Sequence, residues 1–139
     1  MTPARKGRSG PAVSVDEARA VFARRIEAWL AEDVDAYVAC WHDDMRIEMP
    51  SGVIEGAAKY RKLVVGSFAW AAPVSFDVHH LAVEGTTGVV FADWTIRARR
   101  RDDDVTVEWR GLSVCELRDG RIVWWREHHL TPPAPVQAG

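Results

Sequence analysis

Two hydrophobic periods divide the chain into two halves. Between Ser14 and Trp70 the apolar residues recur mostly at spacings of three and four, as they do on one face of a helix. From Pro73 onward apolar and polar residues alternate, as they do in strands that bury one face. The pattern predicts helices first and an antiparallel meander afterwards, which is typical of an α+β domain.

Local signals place the ends of several predicted elements. Ser14 and Glu17 form a capping box, which predicts a helix whose apolar face contains Ala18, Phe22, Ile26 and Trp29. The dipeptide Asp119-Gly120 predicts a tight hairpin. The other predicted elements are a short helix from Asp33, a strand over 45–50, a turn over 52–56, a helix over 57–70, and strands over 74–83, 89–100, 105–117 and 122–130.

The predicted elements form one domain over residues 14–130. Residues 1–13 are rich in Gly, Pro and Arg and are expected to be a flexible tail. Residues 131–139 contain three prolines and are expected to be a second tail, because proline disfavours helices and inner strands.

Composition narrows the class of protein. The 139 residues suffice for one domain with a core, and 47% of them are hydrophobic. A net charge of -2 argues against a nucleic-acid or membrane-surface partner. The basic N-terminus is not followed by an apolar signal segment, so a cytoplasmic location is expected. Cys40 and Cys115 are too few for a disulfide framework and are expected to be buried thiols.

Two blocks of the sequence resemble the NTF2-like superfamily, and within it SnoaL-like polyketide cyclases, ketosteroid isomerases and limonene-epoxide hydrolases. The first block spans residues 29–44 and continues with Ile47-Glu48-Met49-Pro50; it is similar to the family's opening with its D-x-D and x-D-D motifs. The second, residues 117–127, is similar to the closing D-G-K/R-I-x-x-W/Y-R-D/E pattern. The resemblance implies an NTF2-like (cystatin-like) cone, with three N-terminal helices packed in a curved mixed or antiparallel sheet around an apolar pocket.

The resemblance to ketosteroid isomerases does not extend to their catalytic groups. Those enzymes use an aspartate base on the first strand, a tyrosine on the first helix and a protonated acid on a long strand. Here the corresponding positions are Met49, Arg25 and, approximately, Ser113. A thioether cannot accept a proton, so isomerisation by that base is not expected. The adjacent Glu48 would replace it only if a bulge changed the face on which it lies.

One acid position survives the comparison. Limonene-epoxide hydrolases hold water with two aspartates and an arginine, and only one of these falls on an acid here, Glu127; the others fall on Trp94 and Ile96. SnoaL-like cyclases use a single acid deep in the pocket, at about the Glu127 position. The resemblance therefore implies Glu127 as the acid or base.

Strand alternation places Trp125, Glu127 and His129 on one face, which the resemblance assigns to the pocket. Desolvation would disfavour the charged form of such a glutamate and suit it to general acid or base catalysis. The alternative is an outer-face ion pair of Glu127 with Arg126 or Arg110. His129 either assists Glu127 or lies at the rim.

Arg25 is the unusual residue of the first helix. The resemblance points it into the cavity, where it could hold a carboxylate or enolate oxygen. The alternative is a side chain that covers apolar surface with its stem and reaches water with its charge.

Seven tryptophans in so short a chain indicate either a large core or an aromatic cavity. Trp124 is predicted to face outward, which fits a homodimer through the outer sheet face, the arrangement that the resemblance implies.

Only one of His79 and His80 can face inward under strict alternation. No spacing typical of a metal site occurs, so no metal and no cofactor are expected. The candidate substrate-binding residues are Trp29, Met49, Trp94, Trp109, Ser113, Trp125 and His79.

The function that the resemblance implies is a SnoaL-like, cofactor-independent enzyme of the isomerase, lyase or cyclase type, or a hydrolase. It would act on a small hydrophobic molecule by general acid/base catalysis, with Glu127, His129 and Arg25 as the catalytic residues. The alternative is a non-catalytic module of the same fold that binds a small molecule or drives oligomerisation.

Overall fold

The computed structural model describes residues 13–136. The helices and strands follow one another in the predicted order, with one additional short strand. The helices are α1 (Val15–Leu30), α2 (Val34–Ala39) and α3 (Ala57–Trp70), and the strands are β1 (Trp41–Met49), β2 (Gly52–Glu55), β3 (Ala71–Glu84), β4 (Val89–Arg100), β5 (Thr106–Arg118) and β6 (Arg121–Pro135).

Side-chain caps begin the first two helices. The Glu17 N–H donates to Ser14 Oγ at 3.0 Å, and the Ser14 N–H donates to Glu17 Oε1 at 3.0 Å. The Ala36 N–H donates to Asp33 Oδ1 at 3.0 Å. Each cap satisfies backbone donors that have no partner within the helix. The predicted starts of both helices are confirmed.

The six strands form one mixed sheet in the order β2-β1-β6-β5-β4-β3. All neighbours are antiparallel except β1 and β6, which are parallel. The predicted hairpin between β5 and β6 is confirmed, since Asp119 and Gly120 have φ values of 54° and 75°. Two consecutive residues with positive φ favour the twist of a two-residue hairpin. The α+β class is confirmed.

The sheet is curved, and its concave face carries the core. Register shifts occur between β1 and β6, β3 and β4, and β5 and β6, where an extra residue bends a strand. The helices pack into the concave side, and their buried residues join those of the strands in one cluster. Cys40 and Cys115 are buried free thiols, as predicted, and burial raises the pKa of Cys115 to about 12. No helix between residues 13 and 136 combines the length and apolar character that a membrane crossing requires.

The structure corrects three predicted boundaries. The first strand begins at Trp41 rather than at residue 45, and the expected turn over 52–56 contains the short strand β2. The C-terminal tail expected from residue 131 is wrong for the described part, because β6 continues to Pro135. The N-terminal tail lies outside the described residues except for Val13, whose N–H donates to Gly85 O at 2.9 Å.

The prolines in β6 are tolerated because of their place in the sheet. Pairing of β1 with β6 is described only as far as Arg126, whereas the later residues pair with β5 on one side. Proline lacks an N–H, and this costs little where one side of a strand has no neighbour. Val136 then donates its N–H to Thr106 O at 2.9 Å, which fixes the end of the strand.

Candidate functional site

Three side chains on the inner face of β6 form a hydrogen-bonded chain. Trp125 Nε1–H donates to Glu127 Oε1 at 2.9 Å, and His129 Nε2 lies 2.8 Å from Glu127 Oε2. The Glu127 and His129 side chains are 14% and 21% exposed. The alternative of an outer-face ion pair with Arg126 or Arg110 is wrong, because Glu127 contacts Trp125 and His129 and makes no salt bridge to either arginine among the described residues. The three residues therefore share one face, as the alternation of β6 predicts.

A bulge in β6 determines which face these residues occupy. Leu117 pairs with Ile122, but Glu116 pairs with Trp124, so Val123 is an extra residue. Ile122 and Trp125 are both fully buried although strict alternation would separate them. The extra residue shifts the later part of the strand by one position and turns Glu127 inward.

Arg25 lies buried among aromatic rings. The residue is only 6% exposed, and its Cζ lies 4.3 Å from the centroid of the Trp125 ring. The rings of Phe76, Tyr37 and Trp41 lie at 5.3, 5.4 and 5.9 Å. Cation–π contacts of this kind contribute about 2 kcal/mol when desolvated. The snorkelling alternative does not fit, because the guanidinium is packed among these rings and the residue is buried.

The edges of the guanidinium are less well satisfied than its face. Nε and Nη1 of Arg25 are buried without a hydrogen-bond partner among the described residues. Burial lowers the pKa of Arg25, but the Tyr37 and Tyr60 phenols and the Glu127 carboxylate raise it, and the net shift is upward. Leaving a buried donor unpaired costs about 1–3 kcal/mol, and more for a charged group. Arg25 is thus a permanent cation held with unused donors beside Glu127.

Two tyrosines next to Arg25 were not singled out as site residues in the sequence. The hydroxyls of Tyr37 on α2 and Tyr60 on α3 are 3.1 Å apart and buried. Burial, together with Tyr37, raises the pKa of Tyr60 well above its ordinary value. Both tyrosines recur with apolar residues at helical spacing in the sequence. Their hydroxyls were the available signal, because a buried phenol requires a hydrogen-bond partner.

Trp94 holds the other side of His129. Its indole Nε1–H donates to Ser113 Oγ at 3.2 Å, and its ring meets the His129 ring edge-on at 6.0 Å. Gly111 makes room for this ring, since a Cβ there would lie 2.5 Å from Trp94 Cη2. A glycine inside a strand often marks such a close approach, which was the signal for this residue.

The remaining predicted lining residues are dispersed. Trp29 is half-buried and packs edge-on against Phe76 at 5.8 Å, and Met49 is half-buried against the core. Trp109 pairs with Trp70 at 6.3 Å near the end of α3. Glu48 lies on the outer face with Arg46 and Arg126, so it does not take the place of the missing isomerase base.

The prediction that His79 lines the pocket is wrong. Its Nε2 lies 2.7 Å from Thr95 Oγ1 on the outer face, and His80 Nδ1 lies 3.0 Å from Asp93 Oδ1 on the same face. Both histidines face outward because the register of β3 against β4 shifts between Val78 and His80. An extra residue in a strand breaks the alternation on which the prediction rested.

Two cavities lie elsewhere. One of about 660 Å³ lies between α1 and the turns β3–β4 and β5–β6, and one of about 400 Å³ lies between α1 and α2. Neither is lined by Glu127, His129 or Arg25, so a pocket at those residues stays a prediction. Within residues 13–136 no three His, Cys, Asp or Glu side chains are grouped so that they could hold a metal ion.

Several solved structures share this fold. A Bacillus subtilis protein provisionally named an isomerase superposes with a TM-score of 0.76 at 20% identity, over 82% of this chain and 86% of that one. An LEH-like epoxide hydrolase from M. tuberculosis gives 0.70 at 23% identity, over 82% and 83%. An NTF-2 like protein from Burkholderia xenovorans gives 0.65 at 22% identity, over 89% and 88%. Structural matches at sequence identities this low establish the fold but do not identify the reaction.

No curated protein sequence matches the chain. A family profile described as a SnoaL-like domain matches residues 15–125, which include α1 through Trp125 of β6. This match covers most of the sequence and agrees with the cone of helices in a curved sheet. The chain belongs to the SnoaL-like family and has the NTF2-like fold.

Proposed function

We propose that the protein is a cofactor-independent enzyme that moves a proton on a small, mainly apolar substrate, with Glu127 as the acid and base. The observation that carries the proposal is the carboxylate of Glu127, mostly buried and held at both oxygens by Trp125 and His129. Each carboxylate oxygen has two acceptor positions, so one on each oxygen remains for a substrate proton. A fixed carboxylate with free acceptor positions is suited to general base catalysis.

The proposed step takes a proton from a carbon next to a carbonyl group. The proton goes to Glu127, the C–H electron pair moves into the carbonyl system, and the oxygen becomes an enolate oxygen. Arg25 stabilises the negative charge, because a desolvated cation acts strongly on a nearby oxyanion. Glu127 then returns the proton to a different carbon in an isomerase, to the group that the enolate expels in a lyase, or to the alkoxide that forms when the enolate carbon attacks a second carbonyl in a cyclase.

His129 completes the proton path. Its Nε2 contacts Glu127 and its ring is partly exposed, so it can exchange protons between the carboxyl group and water. The edge-on Trp94 ring limits its rotation. In this role His129 is a proton relay, and its loss should slow turnover less than the loss of Glu127.

The test replaces Glu127 by Gln and measures exchange of carbon-bound hydrogen into heavy water by NMR. The probes are β,γ-unsaturated cyclic ketones, whose conversion to conjugated enones is also followed by ultraviolet absorbance. Glu127→Gln should lower the rate about 100-fold or more, because an amide cannot take the proton. Glu108→Gln is the matched control, since Glu108 pairs with Arg97 on the outer face, and it should leave the rate unchanged.

Two results would refute the acid/base role. The first is turnover by Glu127→Gln within about threefold of the wild type, far less than general base catalysis contributes. The second is an equal loss in Glu127→Gln and Glu108→Gln, which would indicate a general effect of removing a carboxylate.

A non-catalytic binding module is the second candidate. It is favoured by Met49 at the position of the isomerase base and by the outward-facing Glu48. In that case ketones would bind, exchange would not exceed the rate in buffer, and Glu127→Gln would change affinity alone.

A further inference from the structure

We infer that the substrate is a carboxylic acid in its ionised form, with an aromatic or otherwise planar apolar body, and that Arg25 binds the carboxylate. The inference rests on the proposed function in that it concerns the same site. It adds the charge of the substrate, which acid/base chemistry at Glu127 does not specify.

The first argument is the kind of group that lacks a partner. Nε and Nη1 of Arg25 are buried and unpaired, and Nε1 of Trp41 is also buried and unpaired, among the described residues. Arginine and the indole N–H can only donate hydrogen bonds, so the missing partner is an acceptor. The two side chains belong to one aromatic cluster, with the Arg25 Cζ 5.9 Å from the Trp41 ring.

The second argument concerns the charge. A guanidinium stays protonated at all relevant pH values, so burial cannot neutralise it. Glu127 is the nearby acid and stabilises the cation, but it makes no hydrogen bond to Nε or Nη1 of Arg25. The phenols of Tyr37 and Tyr60 are bonded to each other, and burial raises the pKa of Tyr60 well above its ordinary value. An anionic acceptor would therefore satisfy these donors more strongly than a neutral one, because charge-assisted hydrogen bonds are the stronger kind.

The third argument concerns the body of the ligand. The face of the guanidinium is covered by the Trp125 ring at 4.3 Å, and the Phe76 ring lies at 5.3 Å. Phe76 also packs against Trp29 and Trp94, at 5.8 and 5.9 Å. Aromatic walls around a cation favour a ligand that places a flat apolar group against the rings and its charge against the arginine.

The experiment compares naphthoate with naphthamide, which have the same rings and nearly the same shape but differ in charge. Affinities are measured by isothermal titration calorimetry on the whole chain at neutral pH, where a carboxylic acid is ionised. Naphthoate should bind at least about tenfold more tightly than naphthamide, because a charge-assisted hydrogen bond is roughly twice as strong as a neutral one. Equal affinities, or no binding of naphthoate, would overturn the inference.

Arg25→Met tests the role of the guanidinium. Methionine fills a similar apolar volume, so the variant should lose the preference for naphthoate and bind both probes with equal affinity. Arg25→Lys keeps the charge and should keep a weakened preference, which covers the case in which Arg25→Met does not fold. A naphthoate preference that survives Arg25→Met contradicts the assignment.

Glu127→Gln separates this inference from the proposed function. Removing the nearby negative charge should leave the naphthoate preference intact or increase it, even though proton exchange is lost. If Glu127→Gln exchanges protons normally while naphthoate is preferred, the acid/base proposal fails and the inference stands. If Glu127→Gln is inactive and the two probes bind the wild type equally, the inference fails and the proposed function stands.

Discussion

The two faces of the sheet differ in how their charged side chains are placed. On the outer face, Arg46 and Arg126 both contact Glu48, and Arg97 contacts Glu108, in exposed pairs. On the inner face, Arg25 is buried with unpaired nitrogens. Exposed pairs contribute little and can be exchanged readily, whereas a buried unpaired charge is costly to keep. The proposed function would account for this contrast, because it requires polar groups on the inner face.

The largest expected effect in this comparison comes from adding one methyl group to the inner face. In Gly111→Ala the new Cβ would lie 2.5 Å from Trp94 Cη2 and 2.7 Å from His128 O, so the ring must move. Overpacking of this kind costs about 1–3 kcal/mol of unfolding free energy. Urea denaturation followed by tryptophan fluorescence measures the loss, and His129 should lose its fixed contact with Trp94.

The same substitution on the exposed side of α3 provides the control. A Cβ added at Gly66 would have no neighbouring atom within 4 Å. Gly66→Ala should therefore raise the unfolding free energy by roughly 0.5–1 kcal/mol, the usual helix preference of alanine over glycine. Equal unfolding free energies for Gly111→Ala and the wild type would contradict the close packing of the inner face.

An intermediate effect is expected at the tyrosine pair. Tyr60→Phe leaves the buried Tyr37 hydroxyl without its partner at 3.1 Å, and the unfolding free energy should fall by about 1–2 kcal/mol. Tyr37→Phe with Tyr60→Phe should cost less than the sum of the two single changes, since no hydroxyl is then left unpaired. Additive losses in a double-mutant cycle would show that the hydroxyls do not interact.

The smallest effect is expected on the outer face and depends on pH. Hydrogen bonds from Arg126 and Arg46 lower the pKa of Glu48 below its ordinary value. A lowered folded-state pKa means that the pairs stabilise the fold above the ordinary glutamate pKa, and that this contribution is lost as the pH falls through the lowered pKa. Glu48→Gln should lower the melting temperature by about 2 °C or less at neutral pH in low salt.

Calorimetry across pH and salt tests this outcome. The difference between wild type and Glu48→Gln should shrink in high salt, where exposed charges are screened, and disappear in acid. A difference that grows as the pH falls would have the wrong sign for a carboxylate with a lowered pKa. A difference as large as that of Gly111→Ala would remove the contrast between the two faces.

Local chemistry made much of the fold predictable. The cap at Ser14 and the Asp119-Gly120 turn depend on a few adjacent residues, and their predictions are confirmed. The prolines after Thr131 misled the prediction, because the sequence does not show which side of β6 lacks a neighbour. The missing information was the order of the strands in the sheet, which depends on contacts between residues far apart in the sequence.

The site was less predictable, for a related reason. Alternation gave the common face of Glu127 and His129 but failed for His79, because a bulge carries no clear sequence signal. Helical spacing is consistent with a buried position for Tyr60 but does not reveal its contact with Tyr37 on another helix. The ring contacts of Arg25 join residues from several elements, and such contacts follow from packing in three dimensions.

The extra residue Val123 has a consequence for reading related sequences. Because it reverses the sidedness of all that follows in β6, this bulge matters as much as the presence of an acid. A relative with the same number of residues between the turn and the acid but no bulge would align its acid with Glu127 without a gap and still present it to solvent, whereas a relative that lacks both the bulge and one residue would keep the acid inward. Counting residues from the turn together with the bulge is therefore a sharper criterion for an inward-facing acid than matching the letter itself.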